Sequence, residues 1–124
     1  MTNGTNIVHE GGCQCGAVTF ITRGAPICVA NCHCRDCRKA TSAAFTTFVD
    51  FPRSCVTFTL EPSIFHSSPT VERLFCSTCG TPIGYRGDGS LDEINLYLGA
   101  FNEPENFKPT EECHQESALW KNHK

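Results

Sequence analysis

The sequence predicts a small, mainly β domain built of antiparallel sheets with little helix. Three observations predict it: short runs rich in β-branched and aromatic residues, turn-forming residues between those runs, and ten cysteines among 124 residues. One domain is expected at this length, and a 40% apolar content is sufficient for a core. We therefore expect a single domain over residues 1–124, with its core from about 11 to 120.

The individual strands follow from alternating or aromatic-rich segments that end at turn residues. The first ends at Arg23-Gly24, the second at Asp50-Phe51-Pro52 and the third at Glu61-Pro62. The segments that qualify are 17–22, 45–49, 55–60, 71–75 and 94–98. Only residues 35–41 have the composition for a helical turn or two. Five or six strands and almost no helix are therefore predicted.

The charge balance and the lack of long apolar runs exclude several classes of function. The net charge of −3 gives no electrostatic reason to expect nucleic acid or anionic lipid as a partner. No stretch approaches the roughly 18 apolar residues of a membrane span, and residues 1–10 lack the pattern of a signal peptide. We expect a cytoplasmic protein in a reducing compartment, where many cysteines indicate metal more often than disulfides.

Seven of the cysteines fall into three tight groups. They are Cys13 and Cys15; Cys32, Cys34 and Cys37; and Cys76 and Cys79. Zinc takes four ligands in a tetrahedron, and two cysteine pairs from distant parts of the chain can supply them. Pairing the first group with the last gives a closed, four-cysteine structural zinc site, which would contribute much of the folding free energy.

The middle group has three cysteines within six residues and no obvious fourth partner. Structural zinc sites fill four positions with protein ligands, whereas catalytic sites use three and leave one for water or substrate. Cys32, Cys34 and Cys37 are therefore predicted to hold a second, catalytic zinc with one open position. His33 lies between two of these ligands and is expected to point away from the metal.

Two other arrangements of the cysteines are possible from the sequence. A zinc ribbon would pair Cys34 and Cys37 with Cys76 and Cys79, although the gap exceeds the usual ~15–20 residues. Alternatively, Cys28 would complete the second site and make both sites structural. Otherwise the remaining cysteines are expected to be small packing residues; they are Cys28, Cys55 and Cys113.

The spacing of these motifs resembles the glutathione-dependent formaldehyde-activating enzyme family, which also contains centromere protein V. The motifs that carry the resemblance are Gly12-Cys13-Gln14-Cys15-Gly16, Cys32-His33-Cys34-Arg35-x-Cys37-Arg38-Lys39 and Arg73-x-Phe75-Cys76-x-x-Cys79-Gly80-Thr81-Pro82. The resemblance implies a β-tent fold organised around a structural zinc, and carbon–sulfur lyase chemistry. It implies the same division of ligands, with two zinc ions per chain.

Several residues near the second site are further candidates for a functional role, and one position departs from the family pattern. Arg38 and Lys39 follow its last cysteine and could hold a substrate carboxylate. The family usually has glycine a few residues later, where this chain has Ser42. Near the C-terminus, Glu112 or His114 could face the site, and His114 is included among the candidate catalytic residues.

These expectations combine into one leading function. It is a zinc-dependent carbon–sulfur lyase acting on a small molecule, glutathione or its adduct with an aldehyde or other electrophilic carbon, bound at the open position of the three-cysteine site. One alternative is a zinc-dependent lyase or dehydratase acting on a larger metabolite without sulfur. Another is a non-catalytic zinc scaffold that binds a protein partner.

Overall fold

The computed structural model of the chain describes residues 7–87 and 92–120. Within these residues the elements, in chain order, are β1 (Val8–Gly12), β2 (Thr19–Arg23), β3 (Cys28–Cys32), α1 (Arg35–Thr41), β4 (Thr46–Pro52), β5 (Val56–Phe58), β6 (Ser63–Ser68), β7 (Val71–Phe75), β8 (Pro82–Arg86), β9 (Glu93–Tyr97) and β10 (Glu111–Cys113). Short 3-10 turns lie between several of them.

The strands form two sheets. A three-stranded sheet has the order β1-β2-β5, and a seven-stranded sheet has the order β10-β3-β4-β9-β8-β7-β6. Every pairing is antiparallel except that of β10 with β3, which is parallel. Because β10 comes from the C-terminal segment, this pairing brings the end of the described chain against the strand that carries Cys32.

The seven-stranded sheet has two chemically different faces, because side chains alternate along each strand. One face supplies apolar residues to a core shared with the small sheet, including Val49, Phe51 and Leu96, each at most 2% exposed. Phe20 of β2 packs edge-on against Phe101 in this core, with ring centroids 5.2 Å apart. The other face carries polar and aromatic residues, and it is this face that positions the candidate site.

The mainly β fold class is confirmed, but the strand count was underestimated. The predicted helical segment coincides with α1, and four of the predicted strands overlap β2, β4, β7 and β9. The predicted segment 55–60 shortens to β5, which follows a 3-10 turn. Two of the unpredicted strands, β6 and β10, lack a clear local signal, because β10 is Glu-Glu-Cys and β6 has five exposed positions out of six without an alternating pattern. Pairing with a neighbouring strand, rather than local propensity, makes such segments extended.

The helix α1 is short and capped at both ends. The sulfur of Cys34 accepts a hydrogen bond from the backbone N–H of Cys37 at 3.2 Å, as an N-cap side chain does. At the other end Ser42 adopts a left-handed conformation with φ 57°. Glycine is favoured at this cap because it has no Cβ. The serine that departs from the expected family pattern thus lies at a helix C-cap.

Candidate functional site

The first cysteine cluster joins the two sheets. Cys13 and Cys15 lie in the turn between β1 and β2, and Cys76 and Cys79 lie in the turn between β7 and β8. A left-handed glycine follows each pair, Gly16 with φ 84° and Gly80 with φ 84°, so that the chain can reverse directly after the second cysteine. Both turns are thereby shaped to direct their two sulfurs to one point.

The geometry of this cluster fits a tetrahedral metal ion. All four sulfurs lie within 4.8 Å of one another. The Cys13 and Cys15 sulfurs are 3.7 Å apart, and those of Cys15 and Cys76 are 3.8 Å apart. A tetrahedron with Zn–S bonds of 2.3 Å has an edge of about 3.8 Å. The Thr81 hydroxyl and nearby backbone N–H groups lower the pKa of the exposed Cys79 thiol to about 5, which favours the thiolate that a metal needs.

The second cluster lies where β3 leads into α1. Cys32 ends β3, Cys34 caps α1, and Cys37 lies in the first turn of the helix. Their sulfurs also lie within 4.8 Å of one another, with Cys32 and Cys37 at 3.4 Å and Cys34 and Cys37 at 2.9 Å. Cys32 and Cys37 are buried, whereas Cys34 is partly exposed. The three sulfurs converge from one strand end and one helical turn.

The thiols of this cluster share their protons unequally. The hydrogen bond between the Cys32 and Cys37 sulfurs lowers the pKa of Cys32 and raises that of Cys37. Burial raises the pKa of Cys34. Three adjacent thiolates repel one another, so a bound cation is the natural means of ionising all three. Soft thiolate ligands suit zinc. The three-sulfur set therefore fits a zinc ion that keeps a fourth coordination position for another ligand.

A cavity of about 440 Å³ opens beside the second cluster. Its floor is the polar face of the seven-stranded sheet, and all three cysteines of the cluster line it. The cross-strand register places one row of side chains along this floor, namely Asp50, Asn95, Tyr85 and Arg73. Cys113 and His114 close one side. This volume is sufficient for a small organic molecule.

Arg73 is a buried cation next to the second cluster, and it is only 9% exposed. Its Nη1 donates to the Tyr97 hydroxyl at 3.2 Å and to the Cys37 sulfur at 3.8 Å. Its guanidinium carbon lies 4.8 Å from the centre of the Tyr85 ring. The side chain therefore places a positive charge against a sulfur cluster that carries negative charge once ionised.

Replacing Arg73 by methionine is expected to destabilise the protein by about 1.5–3 kcal/mol, because the charged hydrogen bonds to buried partners are lost. Arg73→Lys keeps the charge but not the planar group over Tyr85, and about half of that loss is expected. Urea unfolding of the zinc-loaded proteins measures both. Arg23→Met, at an exposed arginine, is the control and should change stability by less than about 0.5 kcal/mol. Equal losses at positions 73 and 23 would contradict the assignment.

The C-terminal segment is held against the second cluster. The Arg38 Nη1 donates to the backbone carbonyls of His33 at 2.7 Å and Ser117 at 2.8 Å. His33 Nε2 lies 2.7 Å from a Glu112 carboxylate oxygen. These contacts connect the cysteine loop to β10 and the turn after it. His33 is directed to Glu112 and, among the described residues, does not belong to the cluster of Cys32, Cys34 and Cys37.

The remaining predicted residues occupy different places. His114 lines the cavity, in a left-handed conformation with φ 57°, and its Nδ1 lies 3.5 Å from Glu116. Lys39 lines an adjoining cavity of about 430 Å³, together with Arg35. The two cavities have Arg73 in common. The structure thus places His114 in the lining of the cavity beside the second cluster, Lys39 in that of the neighbouring cavity and Arg38 in the C-terminal contacts.

The alternative cysteine arrangements do not match these positions. Cys76 and Cys79 group with Cys13 and Cys15, not with Cys34 and Cys37 as a zinc ribbon requires. Cys28 lies at the far end of β3, and its thiol donates to Asp50 at 3.0 Å. Among the described residues, no fourth cysteine, histidine or carboxylate joins the second cluster.

Sequence reasoning missed the residues on the cavity floor. Asp50 and Asn95 each interrupt an apolar strand, and Arg73 lies beside the buried Leu74, shortly before a cysteine pair. A polar residue within a buried run is the available signal, because such residues are rarely buried without a purpose. The face they share depends on register and is not visible from one strand alone.

Comparisons with known proteins identify a family, a relative and a structural neighbour of this chain. The model of the family described as glutathione-dependent formaldehyde-activating enzyme matches residues 8–117. An uncharacterized lyase of Schizosaccharomyces pombe is 31% identical over 92 residues, covering 73% of this chain and 67% of that protein.

A crystal structure of a Rhodobacter sphaeroides protein has a TM-score of 0.67 at 17% identity, covering 83% of this chain and 98% of that one. That likeness concerns the fold. In residues 7–87 and 92–120, no helix has the length and hydropathy to cross a membrane.

Proposed function

Because the chain belongs to the glutathione-dependent formaldehyde-activating enzyme family, we propose that it is a carbon–sulfur lyase acting at the three-cysteine cluster. The lyase name of the yeast relative supports an enzyme of this class. The proposed substrate is a thiol adduct of an aldehyde or other electrophilic carbon, with glutathione as the first thiol to test. The cytoplasm, where this thiol is abundant, is the proposed location.

The observation that carries the proposal is the difference between the two clusters. One has four sulfurs and connects two sheets, whereas the other has three sulfurs and lines a cavity of about 440 Å³. A four-sulfur set leaves no position for substrate, and a three-sulfur set leaves one. We therefore assign a structural zinc to Cys13, Cys15, Cys76 and Cys79, and a catalytic zinc to Cys32, Cys34 and Cys37.

Zinc bound by three cysteines would supply Lewis acidity that favours the thiolate form of a substrate sulfur. In the lyase direction the carbon–sulfur bond of the adduct breaks, the sulfur keeps the bonding electron pair, and the hydroxyl proton leaves as the carbonyl forms. The chain must therefore accept one proton and stabilise one negative sulfur. His114 lines the cavity and is proposed to accept the proton.

The charged residues around the cavity are proposed to orient the substrate. Arg73 places its positive charge beside Cys37 and so stabilises negative charge at the cluster. Lys39, in the adjoining cavity, is proposed to bind a substrate carboxylate. The Arg38 guanidinium already donates to two carbonyls, and we assign it to holding the C-terminal segment in place.

The scaffold alternative requires two closed metal sites and no cavity over the second one. The three-sulfur set and the cavity lined by it favour an enzyme instead. A lyase or dehydratase acting on a metabolite without sulfur would use the same cluster and cavity. Only the substrate that is turned over distinguishes it from a carbon–sulfur lyase.

The test is turnover by the zinc-loaded protein. We expect it to accelerate the exchange between S-(hydroxymethyl)glutathione and free glutathione plus formaldehyde above the uncatalysed rate. NMR exchange spectroscopy measures this rate. A β-hydroxy carbonyl compound without sulfur serves as the competing substrate. Dehydration of that compound without acceleration of the thiol exchange would favour the alternative, and acceleration of neither would count against an enzyme of this class.

A further inference from the structure

Asp50 is a buried carboxylate on the cavity floor that the chemistry above does not use. It lies on β4 between Val49 and Phe51, which are both fully buried in the core. Because side chains alternate along the strand, Asp50 points to the opposite face and lines the cavity. It is 9% exposed. A charged residue at this depth requires a physical explanation.

Among the described residues, the hydrogen-bond donors to the Asp50 side chain are neutral. One carboxylate oxygen accepts from the Cys28 thiol at 3.0 Å, and the other accepts from the Asn95 side-chain amide. No ion pair involves Asp50 within residues 7–87 and 92–120. Burial raises the pKa of Asp50, and the neighbouring acidic residues Glu93 and Glu111 raise it further. Ionised buried groups are normally paired with an opposite charge, and Asp50 lacks one among these residues, because Arg73, the cation on the same floor, lies three strands away on β7.

The register gives the distance from Asp50 to the second cluster. Cys32 pairs with Thr46, and Cys28 pairs with Asp50, so the two positions are four residues apart along β4. This corresponds to about 13 Å along the strand. Both groups line the same cavity. A hydrogen bond to the carboxylate, about 2.8 Å, and a metal–sulfur bond at the cluster, about 2.3 Å, account for about 5 Å of this distance. A molecule whose amine and sulfur are about 8 Å apart could therefore contact both groups.

We propose that Asp50 binds a protonated amine of the substrate and thereby selects amine-bearing thiol adducts whose reacting carbon lies at the three-cysteine cluster. The ammonium group provides the counter-charge that Asp50 lacks among the described residues. Cys28 and Asn95 hold the carboxylate in place through their hydrogen bonds. The reaction at the sulfur is that of the proposed function, on which this inference rests, whereas the amine contact concerns recognition.

The test uses a pair of unreactive probes that differ only in the amine. S-methylglutathione has a free amino group, and its N-acetyl derivative has none. Binding of each to the zinc-loaded wild-type protein is measured by isothermal titration calorimetry. We expect the acetylated probe to bind about 10- to 100-fold more weakly, the usual effect of a hydrogen bond to a charged group.

The variant Asp50→Asn should lose this preference and bind both probes with similar, weak affinity. Glu105→Gln, at an exposed residue that does not line the cavity, removes one negative charge and is expected to retain the wild-type preference. Circular dichroism checks that Asp50→Asn is folded. If it is not, the wild-type comparison of the two probes decides the matter without it.

Several outcomes would overturn the inference: equal affinity of the wild type for the two probes, no binding of either, or an undiminished preference in folded Asp50→Asn. Because the thioether probes do not react, these results are independent of turnover. The proposed lyase function is tested by the exchange assay alone. An active enzyme without amine selectivity would refute the role of Asp50, and selective binding without turnover would refute the lyase.

Discussion

Replacing Cys79 by serine is expected to remove one of two zinc ions per chain and to leave most of the protein unfolded at 37 °C. Structural zinc contributes about 10–16 kcal/mol of binding free energy in small domains, against a usual total stability of about 5–15 kcal/mol. The cluster of Cys13, Cys15, Cys76 and Cys79 joins the two sheets, so its loss should affect both. Zinc analysis and circular dichroism measure the two effects.

The matched variant Cys76→Ser separates metal binding from packing. Cys76 is 1% exposed and belongs to the core, whereas Cys79 is exposed. If the stability is lost because a zinc ligand is lost, both variants lose a zinc ion and unfold to a similar extent. If it is lost because core packing is disturbed, only Cys76→Ser is destabilised. Cys55→Ser, outside both clusters, should keep two zinc ions. Two zinc ions and wild-type stability in Cys79→Ser would contradict the structural assignment.

Replacing Cys34 by serine is expected to abolish catalysis while leaving the protein folded. The hydroxyl is a poor zinc ligand at neutral pH, but serine is a favoured N-cap residue, so the cap of α1 is retained. Loss of even an outer-shell partner of a metal costs about 10- to 100-fold, so loss of a ligand should cost on the order of 100-fold or more in kcat/KM. The exchange assay and zinc content are the measurements, with one zinc ion per chain expected.

The control for this prediction is Cys28→Ser. If Cys28 were a ligand of the second site, its loss would also release zinc; in the structure its thiol donates to Asp50, and a serine hydroxyl can do the same. We expect two zinc ions to remain in this variant. Full activity in Cys34→Ser, or loss of a zinc ion in Cys28→Ser, would require the second site to be reassigned.

The two cysteine turns of the first cluster were predictable because each turn is local. A C-x-C-G or C-x-x-C-G turn brings two sulfurs together within a few residues, and the left-handed Gly16 and Gly80 are part of these turns. That the two turns meet depends on contacts between distant parts of the chain. The helix after Cys34 was predictable for a similar reason, since its composition and cap lie within a few residues. Strands such as β6 and β10 were not, because they are extended through pairing with neighbours.

Sequence patterns are sufficient for the fold class, for the division of seven cysteines into three tight groups and for the resemblance that led to a lyase. The surroundings of the second cluster depend on the folded structure. Arg73, Asp50 and Asn95 come from three different strands and share one face through the register of the seven-stranded sheet. Register depends on contacts between residues far apart in the chain, so the composition of the cavity floor cannot be obtained from any single segment.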